Sequence, residues 1–271
     1  MRVIVTRVQP QAARWVKSLS TKFDAVALPL IVVGPASDPE PVHAAGQRWT
    51  DYGAVMFVSS HAVNYFFQQN PSLALLYQGQ EATQTRVWAT GPGTRSALLA
   101  QGIPEAFVDS PPSDAGQFDS EALWQVVQGQ VHPRVRVLIV RGDSAGVEEN
   151  EAGEGVAHSA GVGRDWLAQR LQRAGAEVNF VVAYQRGAPV WRGQERALAS
   201  AAAADGSVWL FSSAEALTHL RTLLPAQDWS AARAVATHAR IAQAAKDLGF
   251  GTVALTRPAL PDVSASIESL A

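Results

Sequence analysis

The chain states one pattern twice. Ala54-Val55-Met56-Phe57-Val58-Ser59-Ser60-His61-Ala62-Val63 returns as Val208-Trp209-Leu210-Phe211-Ser212-Ser213-Ala214-Glu215-Ala216-Leu217. Val87-Trp88-Ala89-Thr90-Gly91 is echoed by Val235-Ala236-Thr237-His238, and Val3-Ile4-Val5-Thr6-Arg7 by Val137-Leu138-Ile139-Val140-Arg141. Each half therefore runs through the same series of buried strands and amphipathic helices. A duplicated strand–helix series of this kind predicts an α/β fold of two similar doubly wound parallel-sheet domains. A ligand is then expected in the cleft between them, at the carboxyl ends of the strands.

The order of elements refines this. Residues 2–6 and 25–33 read as strands, with Ala12, Trp15, Val16, Leu19 and Phe23 on one face of a helix between them. Gly34-Pro35-Ala36-Ser37-Asp38-Pro39-Glu40-Pro41 then reads as a stiff linker. A helix near 42–50 leads to strand 54–58, whose unbroken apolar run suits a strand covered on both faces. A helix through Ala62, Val63, Phe66 and Phe67, strand 86–90, a helix through Leu98 and Leu99, and a helix through Leu123, Val126 and Val127 close the first pass. The second pass runs through strand 135–140, a helix around Leu167 and Leu171, strand 177–184, and a linker from Gln185 to Gly193. Strand 207–211, helix 214–224, strand 233–236, helix 239–248 and strand 252–255 follow. Both linkers fall after the second strand of a pass, so strands 25–33 and 177–184 are expected to carry the chain between domains. The expected domains are 1–34 plus 186–271 (discontinuous) and 35–185, joined by a two-stranded ladder. Residues 142–163 hold four glutamates among Gly, Ala and Ser and read as a mobile acidic loop, too poor in apolar surface to offset its ordering entropy.

Composition removes whole classes of function. With 22 Lys and Arg against 24 Asp and Glu, and no basic stripe, nucleic acid is not an expected partner. The absence of cysteine removes disulfides, thiolate nucleophiles and Cys-ligated metals, and suits a reducing cytosol. The chain enters a strand at once with no signal-peptide pattern, and no apolar run approaches the ~20 residues of a membrane span, so a cytoplasmic protein is expected. His43, His61, His132, His158, His219 and His238 show no metal-ligand spacing. No Walker motif is present and no G-x-G-x-x-G follows a strand, so neither a metal nor a nucleotide cofactor is expected. The absence of heptads and of a broad apolar stripe points to a monomer.

The candidate site residues lie where strands turn into helices. In Gly91-Pro92-Gly93-Thr94, glycines let backbone approach a ligand and helix-start N–H groups suit an anion; a plain turn and cap explains the same residues. The equivalent turn, Thr237-His238-Ala239-Arg240, has lost the glycines and gained two donors. Ser59-Ser60 and Ser212-Ser213 either cap their helices or present hydroxyls to a ligand. No G-x-S-x-G elbow marks them as nucleophiles. Arg7 and Arg141 end equivalent strands and can pair with carboxylates or sit on the surface. Tyr184 ends a strand beside Gln185-Arg186, where a phenol can donate a proton or simply pack.

Taken together these segments resemble the uroporphyrinogen-III synthase family over nearly the whole chain. The likeness is carried by Val5-Thr6-Arg7, Leu28-Pro29-Leu30, Phe57 to Val63, Thr90 to Thr94, Gly163-Arg164-Asp165-Trp166-Leu167, Gly175 to Val178 through Tyr184, Phe211 to Leu217, and Leu248-Gly249-Phe250. Their order, spacing and duplication carry it rather than any one motif. The resemblance implies a cofactor-free lyase acting on hydroxymethylbilane, a linear tetrapyrrole. It would expel the terminal hydroxyl as water, invert the last (D) pyrrole ring and close uroporphyrinogen III, through an azafulvene cation and a spiro-pyrrolenine. It further implies that Tyr184 assists hydroxyl departure and that Ser59, Thr94 and Ser213 surround the substrate. At Ile241 the chain departs from relatives that carry threonine, leaving Thr237, His238 or Arg240 to substitute. The rival from another class is a non-catalytic two-domain small-molecule-binding module; a twin-domain glycosyltransferase is disfavoured for want of a nucleotide site.

Overall fold

In chain order the elements are β1 (Arg2–Val5), α1 (Gln11–Leu19), β2 (Asp24–Ala27), β3 (Val32–Pro35), α2 (Glu40–Gln47), β4 (Ala54–Phe57) and α3 (Ser60–Gln69). They continue with β5 (Arg86–Ala89), α4 (Pro92–Ala100), β6 (Val108–Asp109), α5 (Ser120–Val127), β7 (Arg136–Asp143), α6 (Ser159–Arg173) and β8 (Glu177–Gly187). The last are α7 (Gly193–Ala202), β9 (Val208–Phe211), α8 (Ala214–Leu223), β10 (Arg233–Ala236), α9 (Ala239–Leu248), β11 (Thr252–Leu255) and α10 (Leu260–Glu268). This computed structural model describes residues 1–78, 83–112, 120–143 and 159–270, the side chains of 159–165 excepted. Most of the acidic stretch, 144–158, lies outside the described residues. Its ends do not: Gly142 and Asp143 continue β7, and α6 already begins at Ser159.

The chain divides into two compact units, Met1–Val33 with Gly187–Ala271, and Gly34–Arg186. The first holds a sheet in the order β11-β10-β9-β1-β2 with every pairing parallel. Parallel strands are covered on both faces, which is why β9 is apolar at all four positions and all four are buried. On one face Ile4, Trp209, Phe211, Ala234 and Ala236 pack with Ala199 and Ala202 of α7, Leu217 and Leu220 of α8, and Ile241 and Ala245 of α9. On the other, Val3, Val5, Leu210 and Val235 pack with Ala12 and Leu19 of α1 and with Val263 and Ile267 of α10. Trp209 stands edge-on to Trp229 at 5.3 Å, and its indole N–H donates to the Ala202 carbonyl at 3.1 Å, so burial leaves no orphaned donor. Gly249 closes α9 in the left-handed region at φ 102°, which glycine adopts without penalty.

The second unit holds a sheet in the order β3-β8-β7-β4-β5-β6. Met56, Trp88, Val137 and Ile139 face Leu123 and Trp124 of α5 and Leu167 and Leu171 of α6. On the opposite face Phe57 meets Phe66 of α3 at 5.5 Å. Beneath α3 a closed polar chain is buried: Trp49 Nε1 donates to Tyr77 Oη at 3.2 Å, Tyr77 Oη to the Thr85 carbonyl at 3.0 Å, and Thr85 Oγ1 back to the Trp49 carbonyl at 3.2 Å. Burial pushes the Tyr77 phenol well above its usual range, so it stays a neutral donor. At the sheet edge the Arg86 guanidinium grips Asp109 through two hydrogen bonds of 2.9 and 2.6 Å, fixing the two-residue β6.

The internal repeat maps onto the sheets with a crossing. By sheet position β1, β2, β9, β10 and β11 of the first unit correspond to β7, β8, β4, β5 and β6 of the second. Each unit is therefore assembled from half of each sequence pass. The chain leaves the first unit at β3 and re-enters it at the end of β8, and these two are neighbouring strands.

Three sequence expectations need correction. Residues 25–33 are not a single strand: β2 stops at Ala27 and β3 starts at Val32. Pro29 has no N–H for a ladder. Leu28 and Leu30 still donate to the carbonyls of Val5 and Thr6, and with Ile31 they are buried in the first unit's core. The apolar run is thus a core-filling turn between two strands. The expected linker 185–193 is shorter than read, since β8 runs on to Gly187, and helix α10 was not anticipated.

Candidate functional site

A doubly wound sheet has a point at which helices leave neighbouring strands on opposite faces, and the carboxyl ends of those two strands frame a crevice. In the first unit α1 follows β1 on one face while α8 follows β9 on the other, so the point lies between β1 and β9. In the second, α3 follows β4 on one face and α6 follows β7 on the other, so it lies between β4 and β7. The residues at those ends are Thr6-Arg7 with Ser212-Ser213, and Ser59-Ser60 with Arg141-Gly142.

In the second unit two of these residues, Ser59 and Gly142, lie against Tyr184. Ser59 is the N-cap of α3 in extended conformation, and its Oγ accepts the Ala62 N–H at 3.1 Å. The same Oγ donates to Tyr184 Oη, also at 3.1 Å. A serine hydroxyl has one proton and two lone pairs, so both bonds coexist. Because Tyr184 Oη accepts from Ser59, the phenol's own proton remains for a different acceptor. The Tyr184 ring is 6 % exposed, stacks with Tyr65 at 6.2 Å and lies 5.8 Å from the His61 ring. Burial, and secondarily the charge of Arg186, holds the His61 imidazole below its ordinary range, which favours the neutral ring beside the phenol.

The neighbouring turn is built differently. Gly91 is the N-cap of α4 and has no side chain to cap with, so the first N–H groups of α4 receive no side-chain cap. Thr94 is not the cap. It is buried at 5 % exposure, and its Oγ1 lies 3.4 Å from Thr90 Oγ1. Thr90 gives its proton to the Val58 carbonyl at 3.2 Å, so Thr94 is the donor of that pair. Gly93 stands in open space, where an added Cβ would meet nothing within 4 Å. Arg141 stands apart from this cluster: its guanidinium lies over the Phe180 ring at 4.9 Å.

The first unit repeats the frame with other chemistry. Thr6 Oγ1 donates to the Leu210 carbonyl at 2.7 Å, tying β1 to β9 just where the two strands end. The Arg7 guanidinium lies over Trp15 at 4.2 Å, burial lowers its pKa, and its buried Nε makes no hydrogen bond among the described residues. Ser213 occupies the N-cap of α8 but makes no side-chain cap bond, unlike its counterpart Ser59; Ser212 precedes it, half-buried. His238 caps α9 by accepting the Arg240 N–H at Nδ1, 3.2 Å away, and is exposed. Ile241, at the position read as threonine in relatives, is buried in the core. Among the described residues no group of three His, Cys, Asp or Glu is close enough to hold a metal ion, and no helix is long and apolar enough to cross a membrane.

His61, Tyr65 and Gly142 are cluster members that sequence reasoning did not select. The spacing of His61 and Tyr65, four apart on a helix, puts both on one face and was the available signal.

Comparison with known proteins supplies the family. A model of the family described as uroporphyrinogen-III synthase HemD matches residues 17–262. No curated protein sequence matches the chain. Among solved structures, uroporphyrinogen-III synthetase from Helicobacter pylori is similar with a TM-score of 0.55 at 15 % identity, covering 100 % of both chains. A mutant uroporphyrinogen III synthase from Thermus thermophilus is similar at 0.49 and 14 % identity, covering 99 % of this chain and 96 % of that one. At 15 % identity the likeness to the Helicobacter pylori structure speaks to the fold, while the match over residues 17–262 speaks to descent. The chain belongs to the uroporphyrinogen-III synthase HemD family, cyclising lyases of tetrapyrrole biosynthesis.

Proposed function

We propose that this chain cyclises hydroxymethylbilane to uroporphyrinogen III, with inversion of the D ring and loss of water. The observation that carries the proposal is the family match over residues 17–262, and the chemistry of the Tyr184 cluster supports it. In this reading Tyr184 gives its proton to the departing terminal hydroxyl, which leaves as water and generates the azafulvene cation. The D ring attacks through its substituted carbon to form the spiro-pyrrolenine, which fragments and recloses with the ring inverted. The proton lost as the last pyrrole regains aromaticity restores the phenol, so the reaction is balanced by one water released. Neutral His61 adds no positive charge next to the forming cation.

Little else is asked of side chains as reagents. Direct closure to isomer I needs no enzyme, so catalysis here consists of holding the bilane where the inverting attack is faster, by orientation and by preferential binding of one transition state. The eight carboxylates of the substrate suit backbone N–H groups at the starts of α4 and α8, neither capped by a side chain, with Thr94, Ser212 and Ser213 nearby in sequence and Ser60 at the start of α3. Arg7, Arg141 and His238 are the proposed carboxylate partners, of which Arg7 has its guanidinium over Trp15 and Arg141 over Phe180. The proposal extends to a cytoplasmic monomer working without a cofactor, which size-exclusion chromatography and activity after exhaustive chelation test. The direct biological test is complementation: a bacterial strain lacking uroporphyrinogen-III synthase should grow without added haem when it expresses this chain. Continued haem dependence with the protein present at normal levels would overturn the proposal. The rival of a binding module without chemistry predicts that second result.

A further inference from the structure

Strands β7 and β8 run in even register from Arg136 opposite Glu177 to Arg141 opposite Val182, and then slip, so that Gly142 faces Tyr184 and Ala183 is the extra residue. Paired residues of neighbouring strands share a face of the sheet. Val178, Phe180 and Val182 therefore share the α5–α6 face with Val137, Ile139 and Arg141. Without the slip Tyr184, two residues beyond Val182, would continue on that face beside Arg141. The bulge moves it to the other face, with Leu138, Val140 and Gly142, where α3 packs. Its contacts with Ser59, His61 and Tyr65 all lie on that side.

Reaching Ser59 demands more than the right face. Tyr184 is on β8 and Ser59 follows β4, and β7 lies between them in the sheet. Neighbouring strands are about 4.8 Å apart, so the phenol has to bridge about 10 Å by lying across the middle strand. It crosses over Gly142. A Cβ built there would lie 2.4 Å from Tyr184 Cζ and 2.5 and 2.9 Å from the two Cε atoms, distances no real contact sustains. We propose that Gly142 is a positioning residue of this enzyme: its missing side chain, together with the bulge at Ala183, seats the Tyr184 ring so that its hydroxyl meets Ser59 and presents its proton outward. This rests on the reading of Tyr184 as the proton donor.

The test is Gly142→Ala. The atom it would strike is the far end of a side chain, so the ring swings aside and the strand keeps its place. The expected kcat is that of Tyr184→Phe within about threefold, with KM changed less than about twofold, because the phenol is displaced and the rest of the site is not. The double variant Gly142→Ala/Tyr184→Phe should be no slower than Tyr184→Phe alone, since there is no hydroxyl left to misplace. A double variant slowed by the product of the two single effects overturns the proposal, as does a Gly142→Ala enzyme with unchanged kcat. Thermal stability gives a second cycle that needs no activity. Gly142→Ala should lower Tm in the natural chain and leave it unchanged in a Tyr184→Ala background, where the ring is gone; an equal drop in both overturns the seat. Failure of the underlying reading looks different: Tyr184→Phe would itself keep full kcat, or the natural chain would not form isomer III, while the stability cycle still showed coupling.

Discussion

Removing the Ser59 hydroxyl breaks two bonds at once, and their separate sizes follow from the geometry. Ser59→Ala deletes the N-cap bond to Ala62 N–H and the donated bond to Tyr184 Oη, each 3.1 Å. A lost Ser cap costs about 1 kcal/mol, and a lost hydrogen bond between part-buried groups about 1 kcal/mol more. Helix α3 does not unravel as a result, because Ala62, Val63, Phe66 and Phe67 remain buried beneath it. The loss therefore appears in the unfolding free energy as about 2 kcal/mol, or roughly a 30-fold change in the folded-to-unfolded ratio. Hydrogen exchange of the 60–69 peptide, read by mass spectrometry, should quicken by that factor. Ser59→Asp separates the two parts. An aspartate caps as well as serine and can accept from Tyr184 but cannot donate to it, so at least half of the stability should return. Ser59→Ala leaves the phenol without its anchor, and Ser59→Asp draws the phenol's proton toward residue 59, so kcat should be low in both. Exchange in Ser59→Ala equal to that of the natural chain would refute the capping argument, and a Ser59→Asp enzyme with restored kcat would refute the proton orientation.

Three further outcomes follow. The His61 imidazole is held below the ordinary 6.5, so the unfolded chain binds the extra proton as pH falls through about that value. The stability tied to neutral His61 is full above it and is lost on the acid side. His61→Asn should flatten the stability–pH curve below about 6.5, and an unchanged acid slope would contradict the assignment. Gly46→Ala would put a Cβ 1.9 Å from Asn70 Oδ1, and Asn70 cannot step aside because its Nδ2 donates to the carbonyls of Val42 and Phe66. Urea denaturation should show a loss of about 2 kcal/mol, the usual cost of overpacking; a neutral result would mean that Asn70 is not so fixed. Ile241→Thr, which restores the residue read in relatives, should leave kcat unchanged and lower stability by about 1–2 kcal/mol, because Ile241 is a core side chain. A gain in kcat would show that the turn before α9 lacks a group it can use.

The parts of the fold read well from sequence are those in which local and tertiary signals agree. Strands 233–236 and 252–255 and helix 239–248 match β10, β11 and α9 residue for residue, helped by Gly249 and Gly251 as clear stops. The run 25–33 misled because Leu28, Leu30 and Ile31 are apolar for the sake of the core, and Pro29 was the signal that the ladder stops there. At the candidate site, the positions at strand ends were legible from the repeat, but the direction of a side chain was not. Arg7 and Arg141 occupy equivalent places and both lie on aromatic rings, Trp15 and Phe180, which no repeat reveals because the rings come from non-equivalent elements. The facing of Tyr184 depends on a one-residue slip between β7 and β8, and alternation within one strand carries no record of a slip against its neighbour. Gly142 is silent for the same reason: its significance is the ring lying over it.

The central claim is that this protein forces the inverted closure. Purified protein mixed with freshly generated hydroxymethylbilane, after chelation and without nucleotide, should give a product that oxidises to porphyrin dominated by isomer III, at a rate proportional to enzyme. Isomer I alone, formed at the rate of the protein-free control, would contradict the account.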